Sequence, residues 1–133
     1  MADPDLMKTN DPINQHVRHW VLPGLAPSET GDLRPTRPVH TSFLPSAPMP
    51  ATGPHRYVFI LAREPSAGTA PTVGERDGLA DFKERLGWSA GDFVRDHNLE
   101  VVGVACMKIA PTARSGIDDI KLMAESAKHL VTG

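Results

Sequence analysis

The sequence predicts a mainly β domain with peripheral helices, and three observations carry that prediction. Three segments have the β-branched and aromatic content of strands. Twelve of the thirteen prolines lie at or before Pro71, so the first half of the chain is loop-rich and the second more regular. The two internal segments with helical spacing are short, as suits helices laid beside a sheet.

Residues 16–22 (HVRHWVL) form the first predicted strand, which stops at the turn signal Pro23-Gly24. Residues 55–63 (HRYVFILAR) begin just after Gly53-Pro54 and are continuously apolar in the middle, which predicts a central strand covered on both faces. Residues 100–109 (EVVGVACMKI) are rich in valine, with Gly103 marking a bulge or a close backbone approach. Between the first two strands, residues 23–54 carry so many prolines that no helical period survives, and the stretch reads as a long ordered loop.

Helices are predicted over 78–86, where Leu79, Phe82 and Leu86 share a face before Gly87, and over 89–98, which opens with the capping spacing Ser89-x-x-Asp92. A third, over 117–131, aligns Ile117, Ile120, Ala124, Ala127 and Val131 as an amphipathic face. Residues 1–111 are therefore expected to form the body, with 112–133 a C-terminal amphipathic helix packing on it. At 133 residues there is room for one domain.

Composition excludes several functions. Fourteen Lys and Arg against sixteen Asp and Glu give a net charge of -2, too balanced for a general nucleic-acid binder. A single cysteine excludes a disulfide framework and any multi-cysteine metal site, and Cys106 reads as a small buried hydrophobe. No apolar run approaches the length of a transmembrane segment. The opening MADPDLMK is not a secretory signal, so the expected location is cytoplasmic. No nucleophile elbow, phosphate-cradling glycine loop or zinc-protease motif occurs; no cofactor is called for and the chain is read as a non-enzyme.

Three groups of residues remain as chemical candidates. His16 and His19 are three apart, which in a strand sends them to opposite faces and argues against a shared metal ion. His55 and Tyr57 are two apart, so imidazole and phenol share one face of the strongest strand, with Arg56 on the other; the competing reading is a solvent-facing strand end. Asp3-Pro4-Asp5 and Asp11-Pro12 read as turns, and Asp3 becomes part of a site only if the fold sets it beside His19 or His55.

Taken together, Asp3-Pro4-Asp5, His19 sixteen residues after Asp3, and a proline-rich loop ending in Gly53-Pro54-His55-Arg56-Tyr57-Val58 resemble the phosphatidylethanolamine-binding protein family. The resemblance implies a large central sheet plus a smaller one, with the family's first strands missing from this chain, which looks N-terminally truncated beside it. It further implies an anion pocket built from Asp3, Pro4, Asp5, His19, His55 and Tyr57, with Pro48 and Pro50 shaping the rim. There Asp3 would orient and charge-stabilise a histidine, while His19 and His55 would donate to ligand oxygens and Tyr57 would close a wall. The chain departs from the family pattern at Met7 and Lys8, at Met49 in the rim loop, and at Val17. The implied ligand is a phosphate-containing small molecule or phospholipid headgroup. The layout also resembles the family's fungal carboxypeptidase Y inhibitor branch, so the second reading is a regulator contacting a serine carboxypeptidase or a kinase.

Overall fold

The computed structural model describes residues 1–13, 15–65 and 82–112. Within them the chain forms a four-stranded antiparallel sheet, a two-stranded sheet, one 3₁₀ turn and one α-helix. The order in the large sheet is β2 (Val17–Arg18), β1 (Ala2–Asp3), β5 (His55–Arg63), β6 (Glu100–Ile109).

The two long strands fall where the residue pattern places them, and they pair from His55↔Ile109 to Arg63↔Glu100. One register shift interrupts them: Leu61 faces Gly103 and Ala62 faces Val101, so Val102 is the extra residue of a bulge beside the glycine. Burial is less even than the apolar run predicts. His55 and Tyr57 are buried, Leu61 is exposed, and β6 exposes Val101, Val102, Val104 and Met107. Among the described residues β6 pairs only with β5, and the thiol of Cys106 is exposed rather than buried, because this strand is an edge.

The predicted strand over 16–22 is shorter than its composition suggests. Only Val17–Arg18 is paired in the sheet, flanked by single bridges from His16 to Trp88 and from Val21 to Thr41. The reason lies in where its backbone bonds go: His19 and Trp20 donate to the Met1 carbonyl, while the His19 carbonyl accepts from Leu44. Several partners in turn replace one continuous neighbour.

The proline-rich stretch holds structure that its composition hides. β3 (Leu25–Pro27) and β4 (Leu33–Pro35) form an antiparallel ribbon, Leu25 opposite Pro35 and Pro27 opposite Leu33. Each proline stands at a strand end, where a missing N–H removes no interior ladder bond. The connection closes through Ser28 N to the Asp32 carbonyl, with Gly31 at φ 85°. This ribbon is the smaller sheet.

The helix predicted over 89–98 is α1 (Ala90–Asp96), capped by Ser89, whose Oγ accepts from Asp92 N at 3.1 Å. Of the segment 78–86, Phe82–Arg85 is a 3₁₀ turn ending before Gly87 at φ 63°, and the remainder lies outside the described residues apart from Leu86. The predicted helix over 117–131 also lies outside them. A cavity of about 860 Å³ separates the far end of β5 from the ribbon and α1, lined in part by Trp20, Leu25, Phe59, Trp88 and Phe93. At its edge Arg37 pairs with Glu64, which also accepts from Gly24 N. Outside that cavity Asp3, Asp5, His55 and Tyr57 are each no more than 2% exposed.

Candidate functional site

The site begins with a local device. Asp3 ends β1, and its Oδ1 accepts from Asp5 N at 2.7 Å across Pro4, which has no donor of its own. Asp11-Pro12 repeats the device, with Asp11 Oδ1 accepting from Ile13 N at 3.0 Å. The first turn leaves the other Asp3 oxygen free to leave the loop. Because Ala2 pairs with Val58, β1 lies along the start of β5, and His55 Nδ1–H donates to Asp3 Oδ2 at 2.7 Å. Both side chains are almost wholly buried.

The alternation along β5 then sorts its side chains. His55 and Tyr57 share the buried face, their ring centroids 6.4 Å apart and nearly parallel, so this is not a solvent-facing strand end. His19 meets the same tyrosine edge-on, with centroids 5.1 Å apart. Asp3, His19, His55 and Tyr57 thus come together from β1, the segment after β2, and β5.

His19 is held on one side only. Its Nδ1–H donates to the Leu44 carbonyl at 3.0 Å, and Leu44 N returns a bond to the His19 carbonyl at 2.8 Å. Its Nε2 makes no hydrogen bond to the described residues. Burial pushes the imidazole below its ordinary pKa; the Leu44 bond and the Asp3 carboxylate pull it up, while Arg85 and the Met1 amino group push it further down. The expectation that a nearby carboxylate favours a cationic histidine does not carry for His19, since burial outweighs Asp3. In its neutral form Nε2 carries a lone pair; protonated, it is a donor.

Asp5 and His55 stand differently from what the resemblance implies. The Asp5 carboxylate is taken up by Arg56, which donates from Nε at 2.7 Å, from Nη2 at 2.6 Å and from its backbone N at 3.0 Å, and Asn10 N adds a fourth bond at 2.8 Å. Burial alone would raise the Asp5 pKa, but these bonds and the Arg56 charge outweigh it and lower it to about 2. Asp5 therefore clamps the first loop to the outer face of β5. His55, for its part, has both nitrogens occupied, since Thr52 Oγ1 lies 2.7 Å from Nε2. A ligand oxygen reaches that nitrogen only by displacing the threonine hydroxyl.

The rim prolines divide. Pro48 is fully buried and Pro50 is exposed. Pro50 opens the turn in which Thr52 N and Oγ1 both reach the Met49 carbonyl, at 3.1 and 2.9 Å. Its fixed φ suits that position, and the turn delivers Thr52 to His55. Pro4 is half-buried between the two aspartates. Thr52, Arg56 and the Leu44 carbonyl escaped the sequence reading as partners. Strand alternation does place Arg56 opposite His55 and Tyr57, but nothing in the local sequence marks Thr52 or Leu44. Among the described residues no group of three or more His, Cys, Asp or Glu is arranged to hold a metal ion.

The described residues thus form a mainly β fold with two sheets, in which a buried carboxylate–histidine pair lies beside a second histidine. Residues 1–107 match the family model described as phosphatidylethanolamine-binding protein, and the chain belongs to that family. Its relatives include a 26 kDa secreted antigen of Toxocara canis, 30% identical over 100 residues, which are 74% of this chain and 36% of the relative. An uncharacterized protein of Saccharomyces cerevisiae, YLR179C, is 25% identical over 109 residues, 77% of this chain and 54% of the relative. The chain thus spans about a third to a half of the length of these relatives. No solved structure matches it. Family members are in general binding or regulatory proteins. Among the described residues no helix is long and apolar enough to cross a membrane.

Proposed function

We propose that this chain binds an oxyanion, a phosphate or the phosphate of a phospholipid headgroup, at His19 beside the Asp3–His55 pair, without transforming it. The observation that carries this reading is the state of His19: buried, fixed through Nδ1, edge-on to Tyr57, and with Nε2 making no hydrogen bond to the described residues. A charge-assisted N–H···O bond from a buried imidazolium is the stronger kind for a phosphate oxygen. Since burial favours the neutral ring, the anion stabilises the proton and binding takes one up. Asp3 and Thr52 hold His55 in place as the adjoining wall. Binding without turnover fits the general character of the family.

Titration calorimetry with phosphoethanolamine and with inorganic phosphate tests the proposal, the first reporting headgroup recognition and the second the bare anion. Binding is expected for the intact chain and its loss for His19→Ala. Equal affinity in His19→Ala, or no heat with either compound for the intact chain, overturns the reading. A regulator that acts by contact with a carboxypeptidase or kinase gains no specific support from the site geometry.

A further inference from the structure

Arg85 closes the 3₁₀ turn, sixty-six residues from His19, yet only 4% of it is exposed. Its guanidinium lies in a cradle of oxygens. Nη1 donates to the Ser42 carbonyl at 2.9 Å and to the carbonyls of Arg18 and His19 at 3.3 Å each, while Nη2 donates to Ser42 Oγ at 2.9 Å. These acceptors come from two segments: the stretch that carries His19, and the loop that carries Leu44 two residues beyond Ser42. His19 and Leu44 are the pair already joined by reciprocal bonds, His19 Nδ1–H to the Leu44 carbonyl and Leu44 N to the His19 carbonyl.

We propose that Arg85 is the positioning residue of this pocket: its buried guanidinium ties the His19 backbone to the Ser42 loop and so holds the imidazole with Nδ1–H on the Leu44 carbonyl and Nε2 left for the ligand. The inference rests on the reading of His19 as the anion donor. Arginine suits the task because one rigid fork satisfies four acceptors on two segments at once, which the three-donor, point-like ammonium of lysine does not reproduce.

The same guanidinium has an electrostatic consequence. The groups acting on His19 are Asp3 from β1, which favours its proton, and Arg85 and the Met1 amino group, which oppose it. Tyr57 and His55 from β5 complete the surroundings as ring contacts, Tyr57 on His19 and His55 on Tyr57. The Arg85 charge shifts the titration whatever its structural role; only a cation that positions His19 also fixes the ring's tautomer and the ligand affinity.

The experiment is nitrogen NMR of the histidine rings in the full chain, alone and with phosphoethanolamine. For Arg85→Met the His19 titration midpoint is expected to rise, with the Nδ1–H preference lost and affinity falling about tenfold. Arg85→Lys retains the cation, so its midpoint stays near that of the parent while affinity still falls. A folded Arg85→Met whose His19 tautomer matches the parent overturns the proposal. Should both variants fail to fold, the parent decides. Slow guanidinium rotation at Arg85 together with a neutral Nδ1–H His19 supports the assignment, and free rotation or the Nε2–H tautomer overturns it. None of these spectra needs a ligand, so absence of phosphate binding sinks the proposed function while leaving the Arg85–His19 coupling to its own test.

Discussion

Asp3 and His55 stand fifty-two residues apart in sequence and meet through a 2.7 Å hydrogen bond between side chains each 2% exposed. A carboxylate buried to this degree is retained only when its oxygens are satisfied, and Asp3 divides them: Oδ1 to its own turn, Oδ2 to His55. The pair joins the first loop to the central strand and forms the fixed wall beside which His19 sits.

Replacing Asp3 by Ala therefore strands two donors, the Asp5 amide and the His55 Nδ1–H. At about 1–3 kcal/mol for each buried donor left unsatisfied, a loss of about 2–6 kcal/mol is expected. Asp3→Asn, which keeps an acceptor oxygen, should lose less. Urea unfolding of the two variants measures the difference, and equal midpoints for Asp3→Ala and the parent would count against a structural role for the pair.

Asp5 makes the acid limb of stability predictable. Its pKa is lowered from 3.8 to about 2 in the folded chain, so it binds a proton less readily there than when unfolded. Its contribution is complete above the unfolded value and disappears as pH falls from about 4 to 2, amounting to about 2 kcal/mol. Arg56→Met, which removes the clamp, should flatten this part of the profile. The check is the urea midpoint of both proteins at intervals between pH 5 and pH 2.

For His19 the sign is opposite in stability and in binding. Its folded pKa lies below the usual 6.5, so the unfolded chain takes up the proton more readily, and the ligand-free protein should lose stability as pH falls through 6.5 and below. Anion affinity should rise over the same interval, as Nε2 becomes a donor. Glycerophosphoethanolamine is the suitable probe, because a phosphodiester keeps one charge where a monoester titrates near pH 6. His19→Gln should abolish both slopes, and a pH-independent affinity in the parent would refute the assignment.

The cap of α1 gives a local measurement. Ser89→Ala removes the acceptor for Asp92 N and should cost about 1 kcal/mol, with Ser89→Asp close to neutral. Thermal melts followed by circular dichroism report both.

Cys106 offers a direct accessibility test. Its exposed thiol on β6 should react with a thiol reagent in the folded protein as readily as in denaturant. Protection that disappears only on unfolding would show that the outer face of β6 is covered.

What the residues determined unaided were the features with short-range causes. Alternation and apolar content located β5 and β6 to the residue, Ser89-x-x-Asp92 located a helix start, and the spacing of His55 and Tyr57 put both rings on one face. Asp3, His19 and His55 were joined as a set only by the family resemblance, and not as a geometry. Tertiary structure decided the division of labour at the site: Asp5 went to Arg56, both His55 nitrogens went to Asp3 and Thr52, and His19 kept one nitrogen with no hydrogen bond to the described residues. It also set the ribbon within the proline-rich stretch, the exposure of Cys106 and the burial of Arg85 beneath His19. The physical reason is range. Propensity and pattern act over a few residues, whereas a buried polar atom takes whichever partner the packed chain brings within about 3 Å, and that partner is chosen by contacts fifty or more residues away.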